Sequence, residues 1–209
     1  MDQAIKNRIA SNFNANITRV RSLIAVYDAL GTAGPGRPSG QQTDVLRAGV
    51  VLLHASLEDL IRSSSEALLP SASRDVLNEI GFPDGPDQTK TKFTLGELHA
   101  YKGQTIDELI RAAVHARLQR SNYGSVAEVA AALERIGVDR VVLDPDQPIL
   151  EPIMKRRHLI VHRADKNPVS TRGRGILLTV HLPKETVSSW VGTVERVGAR
   201  ILGALPLGH

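Results

Sequence analysis

One stretch of the chain concentrates groups that move protons and hold anions. It is residues 155–165, Lys-Arg-Arg-His-Leu-Ile-Val-His-Arg-Ala-Asp. A free imidazole titrates near neutrality, so His158 or His162 can serve as acid or base. A guanidinium stays charged and offers a planar fork to oxyanions, which suits Arg157 to hold a phosphate. A plainer account is that the helix dipole favours Lys155, Arg156, Arg157 and Arg163 near a helix C-terminus. The spacing adds a constraint. A five-residue step turns an α-helix by about 140°, so Arg157 and His162 do not share a face. His158 and His162, four apart, do.

A second polar stripe is His54, Glu58 and Arg62, recurring every four residues on an otherwise apolar segment. Polar groups on such a face are unfavourable unless paired. Glu58 orienting Arg157 or His162 from a neighbouring helix is one reading. A stripe facing solvent or a partner is the other.

These residues need a scaffold, and the hydrophobic period supplies one. Ile5, Ile9, Phe13, Ile17, Val20, Ile24 and Tyr27 recur at three- and four-residue steps, predicting a helix over 2–30. Gly and Pro dominate 31–42, which reads as a flexible loop. A second long helix is expected over 43–69, capped by Thr43 or Asp44 and stopped by Pro70. Its surface is mostly apolar, so it should be central. A short helix follows at 73–80, then a loop over 81–93. Three capping boxes, Thr94 with Glu97, Thr105 with Glu108 and Ser125 with Glu128, predict helices over 94–101, 105–120 and 125–136. Asp144-Pro145-Asp146 opens a helix over 146–163 that carries the basic stretch. Residues 164–182 read as irregular, with an extended piece at 176–182 and with Arg172 and Arg174 in a solvated Gly-rich loop. A last helix opens at Pro183 and reaches Leu205. Trp190 and Tyr27 read as core or interface residues. The fold class expected is all-α, a bundle with long helices at both ends of the chain, in one domain over 1–209.

Bulk properties exclude several classes. The chain has no cysteine, which rules out disulfides, thiolate zinc sites and a cysteine nucleophile. Aromatics make up only 3%, so the core must rest on aliphatic residues. No signal peptide is recognised, and no run of 18 or more apolar residues could span a membrane, so a cytoplasmic location is expected. A formal charge of +4 permits, without requiring, an approach to a polyanion. No carboxylate cluster stands at metal-ligand spacing, and no metal or cofactor is expected.

The order Arg157, His158, three apolar residues, His162 resembles the signature of HEPN domains. In these domains an arginine is followed by a polar residue, three variable residues and a histidine. The segment 47–69 (RAGVVLLHASLEDLIRSSSEALL) is similar to the second helix of the subgroup described as RiboL-PSP-like or MAE-like. The RHLIVHRAD stretch, the Gly-containing loop and the Trp-bearing last helix are similar too. The resemblance implies a HEPN-type bundle and a metal-independent endoribonuclease with Arg157 and His162 as catalytic residues, supported by His158 and Glu58. Lys155, Arg156 and Arg163 would then contact RNA. Internal transesterification needs a base for the 2′-OH, an acid for the leaving 5′-oxygen and positive charge on the phosphate. Arginine and histidine supply all three. HEPN domains usually pair, so the resemblance also implies a homodimer with the site at the two-fold interface. It points to a toxin–antitoxin or anti-phage setting, with an antitoxin or regulatory protein as a possible partner. The alternative it leaves is a non-catalytic module binding RNA or protein. In one HEPN branch a nucleotide-accepting tyrosine follows the histidine by two residues. Here that position is Ala164, so that form of regulation is not expected.

Overall fold

The computed structural model describes residues 1–31, 39–80, 95–166 and 180–207. Among these, the chain is helical and forms no strand. Long helices α1 (Gln3–Ala29) and α2 (Gly40–Leu68) pack along each other as an antiparallel pair. Three short helices follow, α3 (Arg74–Asn78), α4 (Leu95–Leu98) and α5 (Ile106–Gln119). Then come α6 (Val126–Arg135), α7 (Gln147–Arg163) and α8 (Lys184–Ala204). Helix α2 is central, touching α1, α5, α6, α7 and α8. The all-α bundle expected from the sequence is the architecture observed.

Local chemistry sets most helix starts. Asp2 caps α1 by accepting from the Ile5 N–H. Thr105 and Ser125 form reciprocal capping boxes with Glu108 and Glu128. The third box cannot be followed, because Thr94 lies outside the described residues. The start of α2 differs from the expectation of 43. The helix begins at Gly40, and Ser39 forms the box with Gln42: the Ser39 N–H donates to Gln42 Oε1 at 2.8 Å, and Ser39 Oγ accepts from the Gln42 N–H at 3.2 Å. Gln42 Nε2 also donates to the Gly31 carbonyl at 2.7 Å, fixing the end of α1 against the start of α2. A Gly at the first helical position hid this box, since the Gly- and Pro-rich run before it reads as loop. At Asp144-Pro145-Asp146 a 3₁₀ turn precedes α7.

The main core joins Ile9, Phe13, Ile17 and Val20 of α1 to Leu53, Leu57, Leu60 and Ile61 of α2, with Val194, Val197 and Ile201 of α8 closing it. Gly198 of α8 lets the Phe13 ring approach the helix backbone, and a Cβ there would overlap the ring. A smaller cluster of Leu46, Val50, Leu182 and Val187 seats the start of α8, with Tyr27, Ile160 and Trp190 packed against it. Of the irregular stretches expected, parts of 31–42 and 164–182, and all of 81–93, lie outside the described residues, as do Arg172 and Arg174. Leu182, from the expected extended piece, is buried just before α8.

Candidate functional site

Helix α7 carries the Arg-His-X-X-X-His stretch in its last two turns, and α2 lies beside it. The helix divides the stretch between two environments. Arg157 turns inward to α2, where its guanidinium stands 3.9 Å from Glu58 Oε2. Both side chains are only about one-fifth exposed, at 21% and 19%. His158 and His162 point outward, both exposed, with ring centroids 4.6 Å apart and planes inclined at 45°. Among the described residues no hydrogen bond, ion pair or ring contact joins Arg157 to His162. Arg157 and His162 thus lie on different faces of α7, as helix geometry anticipates.

The stripe on α2 resolves into three different roles. His54 is 1% exposed. Its Nε2 lies 3.1 Å from the Tyr123 carbonyl, and its Nδ1 lies 3.6 Å from Glu58 Oε2. Both ring nitrogens therefore face acceptors, and the Glu58 contact is a loose electrostatic one just beyond hydrogen-bond length. Glu58 follows, between His54 and Arg157. His54 chiefly holds the Glu58 carboxyl below the usual carboxylate range, against the opposing effect of burial, with Arg157 and the Tyr123 backbone assisting. Glu58 is thus a charged link from a buried histidine to Arg157. Arg62 turns elsewhere: its guanidinium donates to the carbonyls of Leu118 and Ser121 and lies over the Tyr123 ring, 5.8 Å from its centroid. Of the two readings open for the stripe, the protein-facing one describes these three residues. Within it, Glu58 meets Arg157 and not His162.

The end of α7 is held by a buried ion triad. Asp165 is fully buried, and its Oδ2 accepts from Arg47 Nε of α2 at 2.8 Å and from an Arg156 terminal nitrogen at 2.7 Å. Arg156 also donates to the Val180 carbonyl at 2.7 Å, and the Val180 N–H donates back to the Asp165 carbonyl at 3.1 Å. Burial lowers the Arg156 pKa, and Asp165 opposes that shift. The triad fastens α7, α2 and the approach to α8 together. It also holds Ala164 and Asp165 in the left-handed region, at φ 48° and 55°, a conformation unfavourable for side-chain-bearing residues. The Asp165 N–H closes the helix by donating to the Leu159 carbonyl at 3.0 Å.

The three basic residues expected at RNA separate accordingly. Lys155 and Arg163 are exposed, and among the described residues Lys155 makes a 3.8 Å pair with Glu151. Arg156 is turned inward as a structural tie, which its position one residue before Arg157 does not reveal. Asp165 meets Arg156. Arg47 is the partner that sequence reasoning missed, because it lies 118 residues away. An arginine within an apolar helix face is the signal that such a partner exists. Among the described residues no three His, Asp or Glu side chains converge as a metal-binding group, and no helix is long and apolar enough to cross a membrane.

Comparisons with protein-family models, curated proteins and solved structures return no match for this chain.

Proposed function

We propose that the chain is a metal-independent endoribonuclease of the HEPN type, with Arg157 and His162 as its catalytic residues. The observation that carries this reading is the pairing at the end of α7: an exposed His158–His162 pair in tilted ring contact, on the helix whose Arg157 stands 3.9 Å from Glu58. In the reaction, imidazole takes the proton of a ribose 2′-OH as that oxygen attacks phosphorus. The bond from phosphorus to the 5′-oxygen breaks, and the leaving oxygen receives that proton from the imidazolium so formed, His162 acting first as base and then as acid. Arg157 holds the non-bridging oxygens as their charge grows. The looseness of its 3.9 Å contact with Glu58 leaves guanidinium N–H groups for a phosphate. His158 supports His162 through the ring contact, and Glu58 sets the direction of Arg157. Lys155 and Arg163, both exposed, would meet the RNA backbone.

A homodimer belongs to this reading, since one copy keeps Arg157 and His162 on different faces and a second copy would bring another motif to the same cleft. Val161, 48% exposed between the two histidines' turns, supplies apolar surface for that contact. The toxin–antitoxin or anti-phage setting, the cytoplasmic location and a neutralising partner protein rest on the family resemblance. The inward ion pair of Arg157 favours a second reading, a HEPN module that binds RNA or protein without cleaving. End-group analysis of the products tests the chemistry. Fragments ending in 2′,3′-cyclic phosphate and beginning with 5′-OH are expected, and 5′-phosphate ends would contradict the transesterification.

A further inference from the structure

A cavity of about 430 Å³ opens between the C-terminal end of α5, helix α6 and the end of α3. It is separate from the stretch on α7, and none of the residues given catalytic roles above lines it. Its walls differ in chemistry. Leu69, Ile80 and Leu118 give an apolar side, Ser65 and Asn122 add donors and acceptors, and the Glu128 carboxylate, which accepts from the Ser125 N–H at 3.0 Å, borders the cavity as well. Arg117 and Arg120 border it, both exposed. Arg135 also borders it but is taken up by Glu79 at 3.1 Å. Among the described residues, Arg117 and Arg120 have no carboxylate within ion-pair distance. The helix dipole favours Arg117 at the end of α5 in any case, but it does not require a cavity beside it.

Tyr123 completes the wall. It is 3% exposed, and its buried hydroxyl lies beside the hydroxyls of Ser65 and Ser121. Arg62, bound to two carbonyls and set over the Tyr123 ring, makes this wall rigid and adds positive charge behind it. A volume near 400 Å³ lies at the lower end of small-molecule sites, which combine apolar walls with a few placed polar groups. An apolar side suits a flat ring, and two guanidiniums with no ion-pair partner among the described residues suit a phosphate.

We propose that this cavity binds a phosphate-bearing ribonucleotide, with Arg117 and Arg120 on the phosphate and the Leu69–Ile80–Leu118 side against the base. The nucleotide can be free or part of an RNA strand, because both carry the same chemistry. The cavity adjoins the candidate site through one residue, since the Tyr123 carbonyl that faces His54 belongs to its wall. The proposal stands without the cleavage reading.

Isothermal titration calorimetry on the full chain tests it. The probes are the four ribonucleoside 5′-monophosphates and a twelve-nucleotide mixed-sequence RNA fully 2′-O-methylated, which transesterification cannot cut. Saturable binding of at least one probe is expected. Arg117→Ala/Arg120→Ala should weaken it at least tenfold, while Arg8→Ala/Arg19→Ala, an equal charge loss at exposed positions of α1, should change it less than twofold. Binding of a monophosphate assigns the cavity to a free nucleotide, and binding of the oligomer alone assigns it to a strand. Absence of saturable binding to every probe overturns the proposal, as does equal weakening by both double variants. Circular dichroism confirms that each variant is folded. Loss of cleavage in active-site variants that keep this binding would bear on the catalytic reading alone.

Discussion

Glu58 decides how Arg157 is presented. A carboxylate between a buried histidine and a half-buried arginine is held charged, and its pKa in the folded state is lowered. The sign of the linkage follows. Glu58 contributes stability that is fully present above the unfolded value, about 4.3, and lost as pH falls through the lower folded value. Glu58→Gln should therefore flatten part of the acid-side loss of stability below about pH 4.3, measured by urea unfolding across pH. Unchanged slopes in wild type and variant would refute the assignment. At pH 7 the same substitution frees Arg157 from its counter-charge and should reduce cleavage without unfolding the chain. The stripe that contains Glu58 was legible in the sequence, because four-residue spacing on an apolar helix demands partners. The direction in which each member turns was not, because it depends on α5, α7 and the Tyr123 backbone, all far away in the chain.

The elements are joined where charge or close approach leaves little freedom. Asp165 satisfies two arginines from different helices, and removing it would leave Arg156 without its carboxylate in a largely buried place and Arg47 with Asp44, 2.9 Å away, in place of two partners. Asp165→Ala should cost about 3–5 kcal/mol, the range for breaking a buried ion pair from one side, read by denaturant unfolding. A loss under about 1 kcal/mol would mean that the triad does not hold α7. The contact of α8 with α1 depends on Gly198, where an added methyl would meet the Phe13 ring. Gly198→Ala should destabilise by about 1–3 kcal/mol through overpacking, despite alanine's better helix propensity, and a rise in Tm would contradict that packing. The capping boxes at Thr105 and Ser125 could be read directly, since each is complete within four residues. The box at Ser39 was hidden by Gly40 and its Gly- and Pro-rich approach. The identity of the groups that Arg47 and Gly198 meet was hidden for the same physical reason: these are contacts made across the fold, and local sequence does not say with which residue.

For the whole molecule, the period of apolar residues sufficed to anticipate an all-α bundle with a central second helix, because burial of one face per helix is a local pattern with a global consequence. The association of two copies is a different matter, as it depends on surfaces that the period leaves exposed. The proposed homodimer predicts a sedimentation mass near twice the 22.6 kDa of the chain, and a monomer at micromolar concentration would count against a shared site. Joint catalysis by Arg157 and His162, as proposed, is tested by incubating mixed-sequence RNA with the protein in EDTA, wild type beside His162→Ala and Arg157→Ala, each verified as folded. Cleavage by the wild type, reduced at least about a hundredfold in both variants, is the predicted result, in line with the loss of a proton-transfer group or of a phosphate-holding cation. Variants that cut as well as the wild type, or a folded wild type that binds RNA and leaves it intact, would contradict it.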